Sequence, residues 1–386
     1  MFIAETTPAE NRGKLVLLEG FFAIGGVALA SWIEFGLYYV ENNPVSWRFP
    51  IAFQAFFALI ITSLILFLPE SPRWLLNKDR VEEATNVLGR LAGVPKGEEE
   101  SSESVVMGVN TIQHTLREDR AAGGSSNPFS CNETRNFHRT CLAVVVNMLA
   151  QMSGVNIVTF YSDTIFQGDL HYSGNLSRII TGCLQIWQFL CAGLAVLLID
   201  RFGRRPLLIG ATVGMTISQA GLAGLSSDLT NRSSAGATLL FDFIVFICFP
   251  IGLFIVPFMY AAEIAPQQTR AKVAAMAASA NWLFNFLIAE VTPIGFDNIK
   301  WRYYLVYVCI NFAASLIIYF FFPETRGRSL EEIDEIFIQS RNIFDPVRVS
   351  RDMPPHIDVL TTIQDEEKAT NDYEETVNNE PKNSSE

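Results

Sequence analysis

The residues of this chain best suited to chemistry are carboxamides set among apolar neighbours: Gln151, Asn156, Gln188, Asn281 and Asn285. An amide moved into hydrocarbon needs a partner, so such side chains face a helix bundle or a wet cavity. Asn281 and Asn285 are spaced i,i+4 and share one helix face. Gln151 and Asn156 are i,i+5, on a helix that Ser153 and Gly154 can loosen. An amide both donates and accepts, which suits an uncharged polyhydroxy solute. Phe160, Tyr161, Phe258 and Trp282 offer rings on which the apolar face of a pyranose can stack. Hydrogen bonding between helices asks for the same residues, and with 30 Phe in the chain an aromatic neighbour is common. Spacing alone leaves the two readings open.

A second set is charged. Glu263 and Arg270, with Asp200, Arg204 and Arg205, fall at the ends of apolar runs, as do Glu5, Arg12, Glu70 and Arg73 nearer the start and Glu324 nearer the end. Arginine bridges carboxylates bidentately, so these groups can latch helix ends together. The local spacing nominates Glu263 with Arg270. The plainer alternative is that the arginines only obey the positive-inside rule. Glu19 lies seven residues past Arg12, roughly 10 Å along a helix. A carboxylate there costs on the order of 3 kcal/mol on insertion scales. It is expected to face a cavity, as a solute contact or proton carrier, or else to snorkel to water.

These residues need elements that cross a bilayer. Of 386 residues, 49% are hydrophobic and only 18% charged, against about 25% charged in soluble domains. Eight apolar runs are long enough to span, at 14–38, 49–68, 140–166, 176–199, 205–226, 238–260, 271–295 and 301–322. Pro250 and Pro257 predict a discontinuity or a kink in the sixth. The net charge of −12 and the lack of a basic stripe exclude a nucleic-acid binder. Four scattered histidines and six cysteines without a CxxC pair give no metal or disulfide framework, and five of the cysteines read as small core residues. No nucleophile–base pair or nucleotide loop suggests an enzyme.

Lys and Arg collect before the first run, in 69–139, and in the turns at 200–205 and 268–272, so these loops and both termini are expected to be cytoplasmic. Val81–Leu91 shows helical periodicity, and Leu330–Ile338 can form one more short helix. The stretch 123–128 reads as a flexible link. From Glu324 on there are 16 acidic and 7 basic residues, and disorder is expected beyond about Val349.

The chain also repeats itself. The pattern E-x-x-P-x-x-x-R occurs at Glu5–Arg12 and at Glu263–Arg270. Trp47-Arg48 and Trp301-Arg302 follow at offsets of 42 and 38 from each first Glu, then Glu70 and Glu324 at 65 and 61. Duplicated halves are a common transporter plan. Within the second copy four runs precede the pattern and two follow it, whereas in the first copy two follow and none precedes, so by symmetry a complete architecture has six plus six spans.

Six segments in order carry a resemblance: AETTPAENRG at 4–13, PESPRW at 69–74, QMSGVN at 151–156, DRFGRR at 200–205, EIAP at 263–266 with Arg270, and PETRG at 323–327. They resemble the sugar porter family of the major facilitator superfamily, in wording nearest its fungal members, without that family's first four spans. The resemblance implies an all-α membrane protein of the major facilitator fold with eight transmembrane helices. Residues 1–68 would be the remnant of the N-terminal half, 69–139 a cytoplasmic helical linker, 140–322 a six-helix C-terminal half and 323–386 an acidic tail. It implies transport of a neutral hydroxylated solute, a monosaccharide foremost, by alternating access in the plasma membrane. The partners would be the sugar, the bilayer and, as a candidate co-substrate, protons, with no cofactor. By this resemblance Gln151, Asn156, Gln188, Asn281 and Asn285 match sugar-contacting positions, with the four aromatics beside them. Three positions depart: Ala150 stands in place of the first of two glutamines, Gly20 stands near an expected Gln, and Phe258 stands where Trp is usual. A non-transporting membrane protein, such as a nutrient sensor or an inactive fragment, is the alternative.

Overall fold

The computed structural model describes residues 9–40, 43–95, 102–121, 127–168, 173–227, 232–266, 268–328 and 330–353. Among these, eight helices or helix pairs are long and apolar enough to cross a membrane. A chain in hydrocarbon must satisfy its own backbone, and helices do so within one segment. The first two are α1 (Ala9–Tyr38) and α2 (Val45–Ile65). Three short helices follow, α3 (Pro72–Asn77), α4 (Val81–Leu91) and α5 (Glu103–Ala121). They close a small apolar core of their own around Leu75, Leu76, Ala84, Val87 and Val109. The bounds of α4 are those its periodicity predicts.

The third span is not one helix. It divides into α6 (Asn136–Gln151) and α7 (Val155–Gly168). The turn between them places Gly154 at φ +85°. A Cβ there would stand 2.7 Å from the Tyr307 ring and 3.2 Å from Gln219 Nε2, so glycine is required on two counts. The backbone groups freed by the break are taken up by side chains. Asn311 Nδ2 donates to the Ser153 carbonyl at 2.9 Å, and Ser153 Oγ donates to Ala150 O at 2.7 Å.

The remaining spans are α8 (Gly174–Phe202), α9 (Arg204–Leu225), α10 (Arg232–Cys248) with α11 (Val256–Ile264), α12 (Arg270–Ile299) and α13 (Arg302–Phe321). Between α10 and α11 the chain widens into a π-turn, Phe249–Phe254, flanked and entered by the two prolines. Proline cannot donate and crowds the preceding turn, so the α-helical ladder cannot run through. The structure thus shows a discontinuity rather than a simple kink. Asn147 Nδ2 of α6 donates to Pro257 O at 3.2 Å across the break.

α6 packs on α11 and α12, α9 on α10 and α13, and α8 on α1 and α10. One core, including Met215, Phe246, Tyr260, Ala277 and Ile318, joins them. α2 packs on α1 and buries none of its residues. Only Cys191 of the five apolar-run cysteines is buried, while Cys183 and Cys309 are exposed, so the reading of all five as core residues is corrected. Those two lie on apolar faces that no other helix covers.

Two tail helices, α14 (Leu330–Gln339) and α15 (Asp345–Asp352), lie against the ends of the bundle. The fully buried Arg139 donates to Ile264 O and to Asp334 Oδ1, both at 2.5 Å. Arg135 donates to the carbonyls of Ser340, Arg341 and Asn342. The N–H groups of Asn342 and Arg341 donate to Asp345, and they hold its carboxyl below the usual carboxylate range. Ordered helix therefore reaches 352, a little past the expected onset of disorder. The rest of that expectation, and most of the link at 123–128, lie outside the described residues.

Replacing Gly154 with Ala is expected to cost about 1–3 kcal/mol, because an L-residue is strained at this φ and meets Tyr307. Thermal unfolding of the purified protein in detergent, followed by tryptophan fluorescence, should show a lowered midpoint. Gly26→Ala, with open space around it, should leave the midpoint in place.

Candidate functional site

Gln151 ends α6, and three other amides converge on it. Its Nε2 donates to Asn281 Oδ1 at 3.1 Å. Its Oε1 accepts from Asn156 Nδ2 at 2.8 Å and from Asn285 Nδ2 at 3.2 Å. In a continuous helix, residues five apart point about 140° away from each other. The break at 152–154 is what lets Asn156 turn back to Gln151. Asn281 and Asn285 reach the pair from α12 because i,i+4 residues share a face.

The network leaves a definite remainder. Gln151 Oε1 has spent both acceptor sites. Asn281 Nδ2, Asn156 Oδ1 and Asn285 Oδ1 take no part in it, and Gln151, Asn156 and Asn285 each keep a second N–H, so both amide donors and carbonyl acceptors are left over. Hydroxyl groups, each donor and acceptor at once, complement that set. No charge enters it.

The other expected site residues are placed differently. Gln188 is buried on α8 and makes no hydrogen bond to the amides. The Tyr161 hydroxyl donates to Ala289 O at 2.8 Å and ties α7 to α12. Phe160, Phe258 and Trp282 present much of their rings, with Trp282 70% exposed. Glu19 is exposed on α1. Its neighbour Gly20 explains one departure from the family pattern. A Cβ at Gly20 would stand 2.2 Å from Ile255 Cδ1, so the α1 backbone presses on the π-turn and Ile255 fills the place of a side chain. Ala150 is buried, 1% exposed.

At the far end of α11 the charged groups form a latch. Arg204 Nη2 donates to Glu263 Oε1 at 2.8 Å, and its Nε lies 3.1 and 3.2 Å from the two carboxylate oxygens. Thr325 Oγ1 donates to Glu263 Oε2 at 2.6 Å. Glu324 accepts the backbone N–H groups of Arg204, Arg205, Thr325 and Arg326 at 3.0–3.1 Å, so it caps the start of α9. Arg205 donates to Tyr319 O and lies over the Tyr319 ring. The partner of Glu263 is thus Arg204, not the nominated Arg270. Proximity in sequence favoured Arg270, but the turn after Ile264 carries the chain away, while α9 starts beside Glu263. Thr325 was missed, since a lone threonine after Glu324 gives no signal. Asp200, at the end of α8, has a side chain that is not described; of the first-half counterparts, Glu5 lies outside the described residues and Arg12 lies on α1 with its side chain not described. Glu70 is exposed, and Arg73 is half-buried on α3.

Eight spans, two broken helices and charge-latched helix ends define an integral multi-pass membrane protein of the major facilitator fold. The profile of the family described as "Sugar (and other) transporter" matches residues 1–337, and the chain belongs to that family. It is 35% identical over 340 residues to the MFS-type transporter oryC of Aspergillus oryzae, covering 86% of this chain and 62% of the relative. It is also 35% identical over 382 residues to the sugar transporter STL1 of Saccharomyces cerevisiae, covering 98% and 65%. The chain therefore spans less than two thirds of the length of these curated relatives. A solved structure of the proton:xylose symporter XylE bound to 6-bromo-6-deoxy-D-glucose superposes with a TM-score of 0.70 at 26% identity, covering 87% of this chain and 69% of that one.

Arg204→Ala strips Glu263, whose side chain is only 25% exposed, of its cation. Breaking such a pair costs about 3 kcal/mol where it is buried and less here, since part of the charge stays hydrated. A cysteine replacing the buried Ala265 should then react faster with a thiol reagent. Arg270→Ala should change that rate less.

Proposed function

We propose that this protein carries a neutral hydroxylated solute, a monosaccharide foremost, across a membrane by alternating access, without covalent chemistry. The observation that carries this reading is the four-amide network at the α6–α7 break, with its uncharged remainder of donors and acceptors. The names of the relatives support it: a sugar transporter in one case, a proton:xylose symporter in another. Phe160, Phe258 and Trp282 supply exposed ring faces for the apolar side of a sugar. Gln188 would complete the pocket only after a movement of α8. The latch at Glu263 holds one end of the bundle closed, and its release would open that end to the solute.

The same reading places 69–139 and the tail in the cytoplasm, in the plasma membrane, with residues 1–68 and 140–322 as unequal halves. The lost amides at Gly20 and Ala150 point to a substrate that makes fewer hydrogen bonds than a typical hexose in this family. A deoxygenated sugar or a shorter polyol, with fewer hydroxyls, fits that deficit.

Gln151 is the hub, so Gln151→Ala should leave three amides unpaired and weaken binding by about 1–3 kcal/mol, roughly 5- to 150-fold in Kd. Equilibrium binding of labelled hexoses, pentoses and linear polyols to the purified full chain checks this. Binding of anions or lipophiles instead would keep the fold and sink the sugar reading. A binding site without flux in proteoliposomes would favour a sensor.

Orientation has its own check. A cysteine introduced within 102–121 should react with an impermeant thiol reagent only after cells are permeabilised. Reaction in intact cells would reverse the topology.

A further inference from the structure

Asp242 lies within the most apolar of the eight spans, Gly236–Ile264, whose mean hydropathy is 2.7. Its side chain is not at the edge of the bundle. The residue is 4% exposed and shares the inner face of α10 with Thr238, Val245 and Phe246, at spacings of four, three and four. No hydrogen bond or ion pair reaches its carboxyl among the described residues.

The neighbours can be located on both sides. On α9, a Cβ at Gly221 would stand 2.4 Å from the Phe241 ring. On α8, Trp187 Nε1 donates to Phe243 O at 3.1 Å. These contacts bracket Asp242 and fix which stretches face its level. Residues 179–199 of α8 and 206–225 of α9 contain no Asp, Glu, Lys, Arg or His. Their titratable groups are the thiols of Cys183, exposed, and Cys191, buried. α10 adds Cys248 and, ten residues before Asp242 at its start, Arg232, whose side chain is not described; the π-turn adds none. α7 brings Tyr161, whose hydroxyl is committed to Ala289 O, and Asp163, whose side chain is not described. The buried polar groups on α8 and α9 are uncharged amides, Gln185, Gln188 and Gln219. Among the described residues no cation stands at this level to balance a carboxylate, and an ionised one in such a place is untenable.

We propose that Asp242 is a proton-binding site, loaded in the latched conformation described here and emptied when the α10–α11 span rearranges. The π-turn at Phe249–Phe254 lies between Asp242 and Glu263, so release of the latch can move α10 against α8 and α9. Water admitted by that movement accepts the proton: the O–H bond of the acid breaks, its electron pair stays on the carboxylate, and hydronium forms. Reprotonation from the other side closes the cycle and ties proton movement to the conformational change. The proposal rests on the alternating-access reading above and deepens it by naming the residue that holds the proton.

The test is infrared difference spectroscopy of the full chain in lipid at neutral pH, with no solute present. The wild type should show the C=O stretch of a protonated carboxyl that Asp242→Asn removes and Asp242→Glu retains at a shifted position. Arg204→Ala, with its opening verified by labelling at Ala265→Cys, should lose most of that band. If wild type and Asp242→Asn do not differ, Asp242 is charged and the proposal is overturned. If the band persists undiminished in the opened variant, the acid is a fixed structural group and the proposal is equally overturned. A band that behaves as expected in a chain that binds no hydroxylated solute would sink the substrate reading and leave the proton site standing.

Discussion

In hydrocarbon a backbone group that loses its helical partner must find another, and no water is at hand to supply one. This constraint organises the bundle around its two broken spans. At the first break, the amide of Asn311 takes the carbonyl of Ser153. At the second, the amide of Asn147 donates to the carbonyl of Pro257, in the first turn after the break. Both amides belong to other helices, α13 and α6, so each break is held by a neighbour rather than by its own segment. Irregular backbone persists in a membrane only where protein or a cavity encloses it, and here protein does so.

The breaks also bring the site and the latch into mechanical register. α6 carries Gln151 at its end and Asn147 one turn earlier, and Asn147 grips the start of α11. α11 ends at the Glu263 pair with Arg204. A chain of packed and hydrogen-bonded elements thus runs from the amide cluster to the charged helix ends. The tail adds a further tie at the same end, since Arg139 joins α6 to Ile264 and Asp334. Such contiguity gives a route by which occupancy of the amides and closure of the latch can bias each other.

The departures from the family pattern have a steric logic. At Gly20 the space a side chain would need is occupied by Ile255, the residue after the π-turn, and Ala150 sits in full burial. Neither position supplies a hydrogen-bonding group, and the Gln151 hub forms without them.

Sequence by itself determined the elements and the class. Apolar runs of spanning length, the exact periodicity of Val81–Leu91 and the segments of the family motif are local patterns, and hydrophobic burial acts locally enough for them to be read in a line. The amide set was legible for the same reason, because carboxamides are conspicuous in apolar surroundings. Partner choice was not. That Glu263 takes Arg204 across 59 residues rather than Arg270 across seven depends on where α9 begins in space. That Asn156 turns back to Gln151 depends on a break whose geometry Tyr307 and Gln219 enforce from other helices. Asp242 passed unremarked as one carboxylate in an apolar run, since only the packing of α8 and α9 around it shows that nothing there can balance its charge. Contacts of this kind join residues far apart in the chain, and only tertiary packing decides them.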